Sequence, residues 1–376
     1  LRLPQLLVAV SLNALLHSPW PVRIGCVVAG LGAAAFVALF GATAYFTHRI
    51  RTHPVVTFEE ARTDPAQVRE FGLGGRYDPA AWGLPLRAET YRSAPDGVRL
   101  EAWFVPPTDT TVTDCAVVFV HGRRDNRLKA LKYLPLLRQS GAIARCAAFF
   151  PDLRGSGTSE GGASDMGWQH AEDLTSTLEH LARVHSTRRF LIYAFSMGAT
   201  STAAMLNRAE LRDRLRLGVV QIDRIVMDSP LANAEAVVRL NGRRMGLPSP
   251  LVNGALFSFR FFADTEALRL GPFLRRAAVP VLVLHGLRDR ATPYALVEAE
   301  RPFSGRVRVV TLPEGDHVKL VNDPETASRY AAQVVPFLSA WVRDLRRTDA
   351  REAAWKADFE ARRPTVRLHR ERVDGR

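Results

Sequence analysis

A chain of 376 residues, 47% hydrophobic and 24% charged, is long enough to bury a large core and has room for one α/β domain with appendages. Its 51 basic against 38 acidic residues leave +13, a balance that suits an anionic membrane surface, acidic ligands or an arginine-rich solvated surface. No RNP-like aromatic motif, zinc-ligand spacing or helix-turn-helix pattern accompanies the arginines, so nucleic acid is not an expected partner. Cys26, Cys115 and Cys146 show no CxxC spacing and do not make a disulfide framework.

Leu at position 1 in place of Met points to an N-terminus that lies upstream or is processed. Within the N-terminal segment 1–23, residues 3–16 are apolar but too short and too interrupted by Pro and Asn for a second span. Residues 24–46 carry no charge and are long enough to cross a hydrocarbon core of about 30 Å. A cleaved signal has a shorter apolar region, so a single-pass transmembrane anchor is expected. Arg2 and Arg23 precede it and Arg49, Arg51 and Arg62 follow it. That leaves the positive-inside rule little asymmetry, and the side of the membrane open. Residues 52–84 are Gly- and Pro-punctuated and read as a connector.

Residues 86–92 and 98–105, around Asp96-Gly97, read as a hairpin. Apolar runs follow at 116–120, 147–150, 190–193, 222–227, 281–284 and 306–312, alternating with helical stretches. Such alternation implies a mostly parallel sheet with ligands at the carboxyl ends of its strands. Residues 231–276 interrupt the alternation as a helical insertion containing Leu251, Leu256, Phe257, Phe259, Phe261 and Phe262. The closing helix has Asp323 as its N-cap and Pro324 at its first position. Residues 346–376 are a charged tail with few large apolar residues.

The stretch Phe190-Leu191-Ile192-Tyr193-Ala194-Phe195-Ser196-Met197-Gly198-Ala199 holds a serine between a buried strand and a small-residue helix. Small residues two before and two after it suit a sharp strand-turn-helix elbow, where bulk would clash. Ser196, Asp289 and His317 come in the chain order Ser…Asp…His, each just after a strand. A serine hydroxyl becomes a nucleophile when an imidazole takes its proton, and a carboxylate fixes that imidazole's tautomer. Backbone amides must receive the developing oxyanion, and Met197 and Arg123 are placed to supply them. Asp228, directly after its strand, is a second candidate acid, with capping of the insertion as its other reading. His121 and His285 read as turn-shaping residues, and Asp152 and Arg154 as a structural loop. Arg123, Arg124 and Arg288 are candidates for an anionic head group or plain solvated charges.

The motifs DGVRLEAWFVPP, VVFVHG, PDLRGSGTSEG, YAFSMGA, VMDSPLA, PVLVLHGLRDRATP and EGDH run from about residue 86 to 341. The chain resembles the α/β-hydrolase superfamily, and within it membrane-anchored bacterial members grouped with serine aminopeptidase-like and acyl-thioesterase-like hydrolases. Ala194 departs from the usual Gly, and two arginines follow His121-Gly122. The resemblance implies an eight-stranded, mostly parallel sheet over residues 85–345, with the insertion after the sixth strand. It implies Ser196 as nucleophile, Asp289 as acid, His317 as base, and the Met197 and Arg123 amides as oxyanion hole. It also sets the strand bearing Cys115 beside the strand bearing Cys146, where we expect free thiols, since strand cysteines are usually small buried hydrophobes. The expected activity is hydrolysis of an ester, thioester or amide of a small-molecule or lipid-like acyl substrate through an acyl-enzyme. No metal, organic cofactor or obligate protein partner is implied. The alternative is a catalytically silent binding or scaffold protein of the same fold at an anionic membrane.

Overall fold

A computed structural model of the chain describes residues 19–94, 96–109 and 114–361. The apolar stretch 3–16 and the end of the charged tail, 362–376, lie outside the described residues. The apolar runs become β1 (Arg87–Arg92), β2 (Arg99–Val105), β3 (Cys115–Val120), β4 (Ala147–Asp152), β5 (Arg189–Phe195), β6 (Gln221–Asp228), β7 (Val281–Gly286) and β8 (Val307–Leu312). They form one eight-stranded sheet in the order β1-β2-β4-β3-β5-β6-β7-β8. β2 pairs antiparallel with both β1 and β4, and every later pair is parallel. This is an α/β-hydrolase fold.

Both sheet faces are covered, which is why β3, β4 and β7 read as unbroken apolar runs and are buried at every residue. Alternate residues serve opposite cores: Ala116, Val118 and Val120 join one cluster, and Cys115, Val117 and Phe119 the other. The register pairs Ala116 with Ala147, which sets Cys115 beside Cys146. Their sulfurs are bonded, with the Cα atoms 4.9 Å apart. The expected free thiols are therefore replaced by a disulfide: both side chains enter the same core, and the parallel spacing suits a bridge.

Helix α1 (Trp20–Arg51) is 32 residues long, and no residue of its most apolar 18-residue window is buried. It is long and apolar enough to cross a membrane, a test that a signal sequence also passes. The helix does not stop where its charge-free stretch stops at residue 46. Its last turns carry the buried Thr47 and Ile50 and dock on the insertion, where Thr47 Oγ1 donates to the Ala255 carbonyl at 3.3 Å. The stretch read as a connector is folded: it contains the short helices Phe58–Thr63 and Pro65–Phe71 and buries Ala61 and Phe71 in the core.

Helices α2 (Trp168–Val184) and α3 (Met197–Asn207) pack together on one sheet face. The insertion between β6 and β7 contributes α4 (Ala234–Arg244) and α5 (Ser249–Phe259), with Asn233 capping α4 through the Ala236 amide at 3.0 Å. The closing helix α6 (Ala327–Ala361) starts later than its Asp-Pro signal predicts. Asp323 instead accepts the Glu325 amide at 2.9 Å in a turn that precedes the helix.

Candidate active site

The elbow is built by backbone strain and missing side chains. Ser196 has φ 52° and ψ −124°, a conformation a non-glycine residue holds only when its surroundings enforce it. The enforcing contacts are local: the Ser196 amide donates to the Asp228 carbonyl at 3.0 Å, and the Leu231 amide donates to the Ser196 carbonyl at 3.2 Å. A Cβ on Gly198 would lie 2.1 Å from the Val120 carbonyl oxygen, so only glycine lets α3 approach β3 this closely. A Cβ on Gly122 would lie 2.9 Å from Ser196 Cβ, which places the turn after β3 against the serine.

Ser196 follows β5, Asp289 follows β7 and His317 follows β8, and the fold brings all three together. His317 Nε2 lies 3.0 Å from Ser196 Oγ, and His317 Nδ1 lies 2.7 Å from Asp289 Oδ2. An ionised carboxylate only accepts, so Nδ1 carries the proton and Nε2 is left to accept from the hydroxyl. The Asp289 side chain is fully buried, while that of His317 is 21% exposed. Burial alone would raise the Asp289 carboxyl. Hydrogen bonds from His285, His317 and the Thr292 amide outweigh it and hold the group well below the usual carboxylate range.

Thr292 is the residue the motif reading passed over. Its amide donates to Asp289 Oδ1 at 2.8 Å and its hydroxyl to Oδ2 at 2.9 Å, locking the carboxylate's orientation. Its position three residues after the aspartate was the available signal. His285 donates from Nε2 to the Thr292 carbonyl at 2.7 Å and so holds that turn. His121 accepts the Leu153 amide at 3.0 Å, joining the turns after β3 and β4. Asp152 accepts the Arg127 and Thr158 amides, and Arg154 pairs with Asp173 at 2.7 Å.

Asp228 does not reach His317. Its Oδ2 accepts the Tyr133 and Tyr330 hydroxyls at 2.8 and 2.9 Å, and Ser229 Oγ donates to Oδ1 at 2.9 Å. It does not cap the insertion either, a task Asn233 performs. Tyr133 and Tyr330 come from distant segments, so the sequence could not show that Asp228 has these partners.

Met197 directly follows Ser196 and Arg123 directly follows Gly122, and among the described residues neither amide has a hydrogen-bond acceptor. Met197 opens α3, so its N–H is one of the orphan donors of a helix N-terminus. The Arg123 side chain has a separate job. It donates to the carbonyls of Arg49 at 2.5 Å and Thr52 at 2.6 Å, closing the C-terminal end of α1. Arg288 pairs with Glu325 at 3.4 Å on the surface.

One cluster among the described residues offers metal-ligand atoms, and it lies away from the serine. Glu89 on the edge strand β1 accepts from His180 at 2.8 Å and from His185 at 2.7 Å. The carboxylate takes one nitrogen of each imidazole, while His180 Nδ1 is buried with no hydrogen-bond partner among the described residues.

Residues 117–337 match the family described as the alpha/beta hydrolase family, which covers more than half of the chain. The chain belongs to that family and is a hydrolase. It is 22% identical over 271 residues to uncharacterized protein YfhR of Escherichia coli K12, covering 70% of this chain and 83% of that one. YfhR of Salmonella typhi is 26% identical over 246 residues, covering 62% and 76%. Among solved structures, the esterase Pf2001 of Pyrococcus furiosus superposes with a TM-score of 0.54 at 18% identity, covering 71% of this chain and 96% of that one. At that identity the likeness is one of fold.

Proposed function

We propose that the chain is a membrane-anchored serine hydrolase that cleaves a carboxylic ester, thioester or amide through an acyl-enzyme. The observation that carries this is the unbroken line of hydrogen bonds Ser196–His317–Asp289 at 3.0 and 2.7 Å on a strained elbow. In this reading His317 Nε2 takes the Ser196 proton as Oγ attacks the acyl carbon, and Asp289 supports the imidazolium that forms. The Met197 and Arg123 amides receive the oxyanion. His317 then gives the proton to the leaving group, and a water activated by the same imidazole hydrolyses the acyl-serine. Anchoring rests on α1, and the Cys115–Cys146 disulfide favours an oxidising, extracytoplasmic side for the catalytic domain.

Mixing the full chain in maltoside micelles with p-nitrophenyl esters of graded chain length tests the reading. The expected result is a nitrophenolate burst equivalent to one acyl group per protein, followed by slower turnover. Neither burst nor turnover with any ester or thioester would favour the silent binding protein instead.

A further inference from the structure

A cavity of about 730 Å³ lies between the C-terminal end of α1, the insertion helices α4 and α5, and the turn after β3. That volume is within the range of ligand pockets, roughly 300–1,000 Å³. Its lining is chemically divided. Phe46 and Ile50 of α1 and Leu251 and Val252 of α5 supply apolar wall, while Arg49, Arg123, Arg124 and Arg244 supply four positive charges. Among the described residues no aspartate or glutamate lines the cavity.

Arg49, Arg124 and Arg244 are exposed and Arg123 is partly buried, and the missing carboxylates distinguish Arg123 from the chain's other partly buried arginines. Arg154, Arg208 and Arg214 each pair with an acid. Among the described residues none of the four cavity arginines does; Arg123 and Arg244 donate only to backbone carbonyls and, for Arg123, the Met166 sulfur. Arg123 Nε and His53 Nε2, both in the lining, are buried with no hydrogen-bond partner. Burial first, then the Arg49 and Arg124 charges, push the Arg123 guanidinium down to about 10. A partly buried guanidinium with an unpartnered nitrogen, set beside two other positive charges, is stabilised when an anion joins it.

The position of the cavity says what else the anion carries. About 20 residues of helix cross the hydrocarbon, so a span beginning near residue 24 ends close to Tyr45 and Phe46, where the cavity begins. Next to it the insertion presents Phe257 and Phe261, 63% and 75% exposed, which suits contact with a bilayer surface. Ser196 is not itself in the lining, but the turn that supplies Arg123 and Arg124 begins at Gly122, whose added Cβ would lie 3.4 Å from Ser196 Oγ.

We propose that this cavity binds a single-chain lipid with an anionic phosphodiester head group, the head group among the four arginines and the acyl chain between α1 and α5, and that such lipid esters are substrates of Ser196. The substrate clause rests on the serine-hydrolase reading above. In that reaction Ser196 Oγ bonds the acyl carbon and the ester C–O bond breaks. The glycerophosphoryl oxygen leaves with the proton from His317, and water then releases the fatty acid.

The test uses the full chain carrying Ser196→Ala, in maltoside micelles, so that binding is read without turnover. Oleoyl lysophosphatidylglycerol should bind at least tenfold more tightly than oleoyl lysophosphatidylcholine. Arg244→Glu should remove that preference and Arg244→Gln reduce it, while the exposed Arg216→Glu should leave it unchanged. Equal binding of the two lipids, or an unchanged preference in both Arg244 variants, would overturn the assignment. Binding of glycerophosphoglycerol as tight as that of the lysolipid would overturn the acyl-chain half of it. Failure of the unsubstituted chain to hydrolyse p-nitrophenyl butyrate would sink the Ser196 reading, whereas the lipid preference alone decides the cavity.

Discussion

Two walls lie near Ser196, and they are built on opposite principles. On the carboxyl edge of β7 and β8, every oxygen of Asp289 is spoken for by Thr292 and His317, and the carboxylate is buried and ionised. On the side of α1 and the insertion, four arginines line a cavity with no carboxylate, and buried nitrogens of Arg123 and His53 have no partner, among the described residues. The first wall is complete as it stands. The second, under the proposal above, is completed by an anionic lipid. The difference teaches that the sheet edge holds a closed hydrogen-bond geometry while the segments added to it build an open, positively charged cavity.

The comparison breaks most severely at its satisfied wall. Asp289→Asn should lower kcat about 10⁴-fold with little change in KM, as amide replacement does in a triad protease. Asp228→Asn, which loses acceptor capacity toward two phenols, should act mainly on thermal stability. Steady-state kinetics and melting curves of the two folded variants separate them. Near-normal turnover in Asp289→Asn with collapse in Asp228→Asn would reverse the assignment.

How much of this was legible follows from where each signal lies. Ser196, Asp289 and His317 each follow an apolar run, so strand ends alone put them on one edge of the sheet. Thr292 was within reach, three residues beyond the aspartate. The second wall was not. Residues 24–46 carry only apolarity, which says that a helix exists and nothing about which face of its end Gly254 and Ala255 will meet. Arg123 reads as an oxyanion amide, and its side chain's hold on the end of α1 needs residues 49–52 in place. Cys115 and Cys146 were placed side by side by strand order. The bond depended on side-chain direction, which spacing does not encode.

That disulfide supports the fold beneath both walls, and removing it is the next largest effect. Its sequence separation is 31, and a loop of that length corresponds to roughly 3–4 kcal/mol in the chain-entropy account. Cys115→Ala with Cys146→Ala should lower the denaturant midpoint accordingly and leave the rate per folded molecule unchanged. An unaltered midpoint would mean that the bridge does not form in the isolated protein.

The smallest effect is far from either wall. Burial would raise Glu89, yet hydrogen bonds from His180 and His185 lower it to about 2. A depressed carboxylate contributes stability that is present above its unfolded value, near 4.5, and is lost as pH falls through about 2. Glu89→Gln should therefore cost about 1–2 kcal/mol at pH 7, a gap that narrows below pH 4.5. Urea titrations at pH 7 and pH 3.5 measure it, and a gap that widens on acidification would contradict the sign.

The central claim is that Ser196 is the atom-level nucleophile, and fluorophosphonate labelling followed by peptide mapping tests it most directly. The account predicts one phosphonyl group per chain, on the peptide containing Ser196, absent from Ser196→Ala and strongly slowed in Asp289→Asn. Full labelling of a folded Ser196→Ala chain, or a label mapped to any other residue, would contradict it.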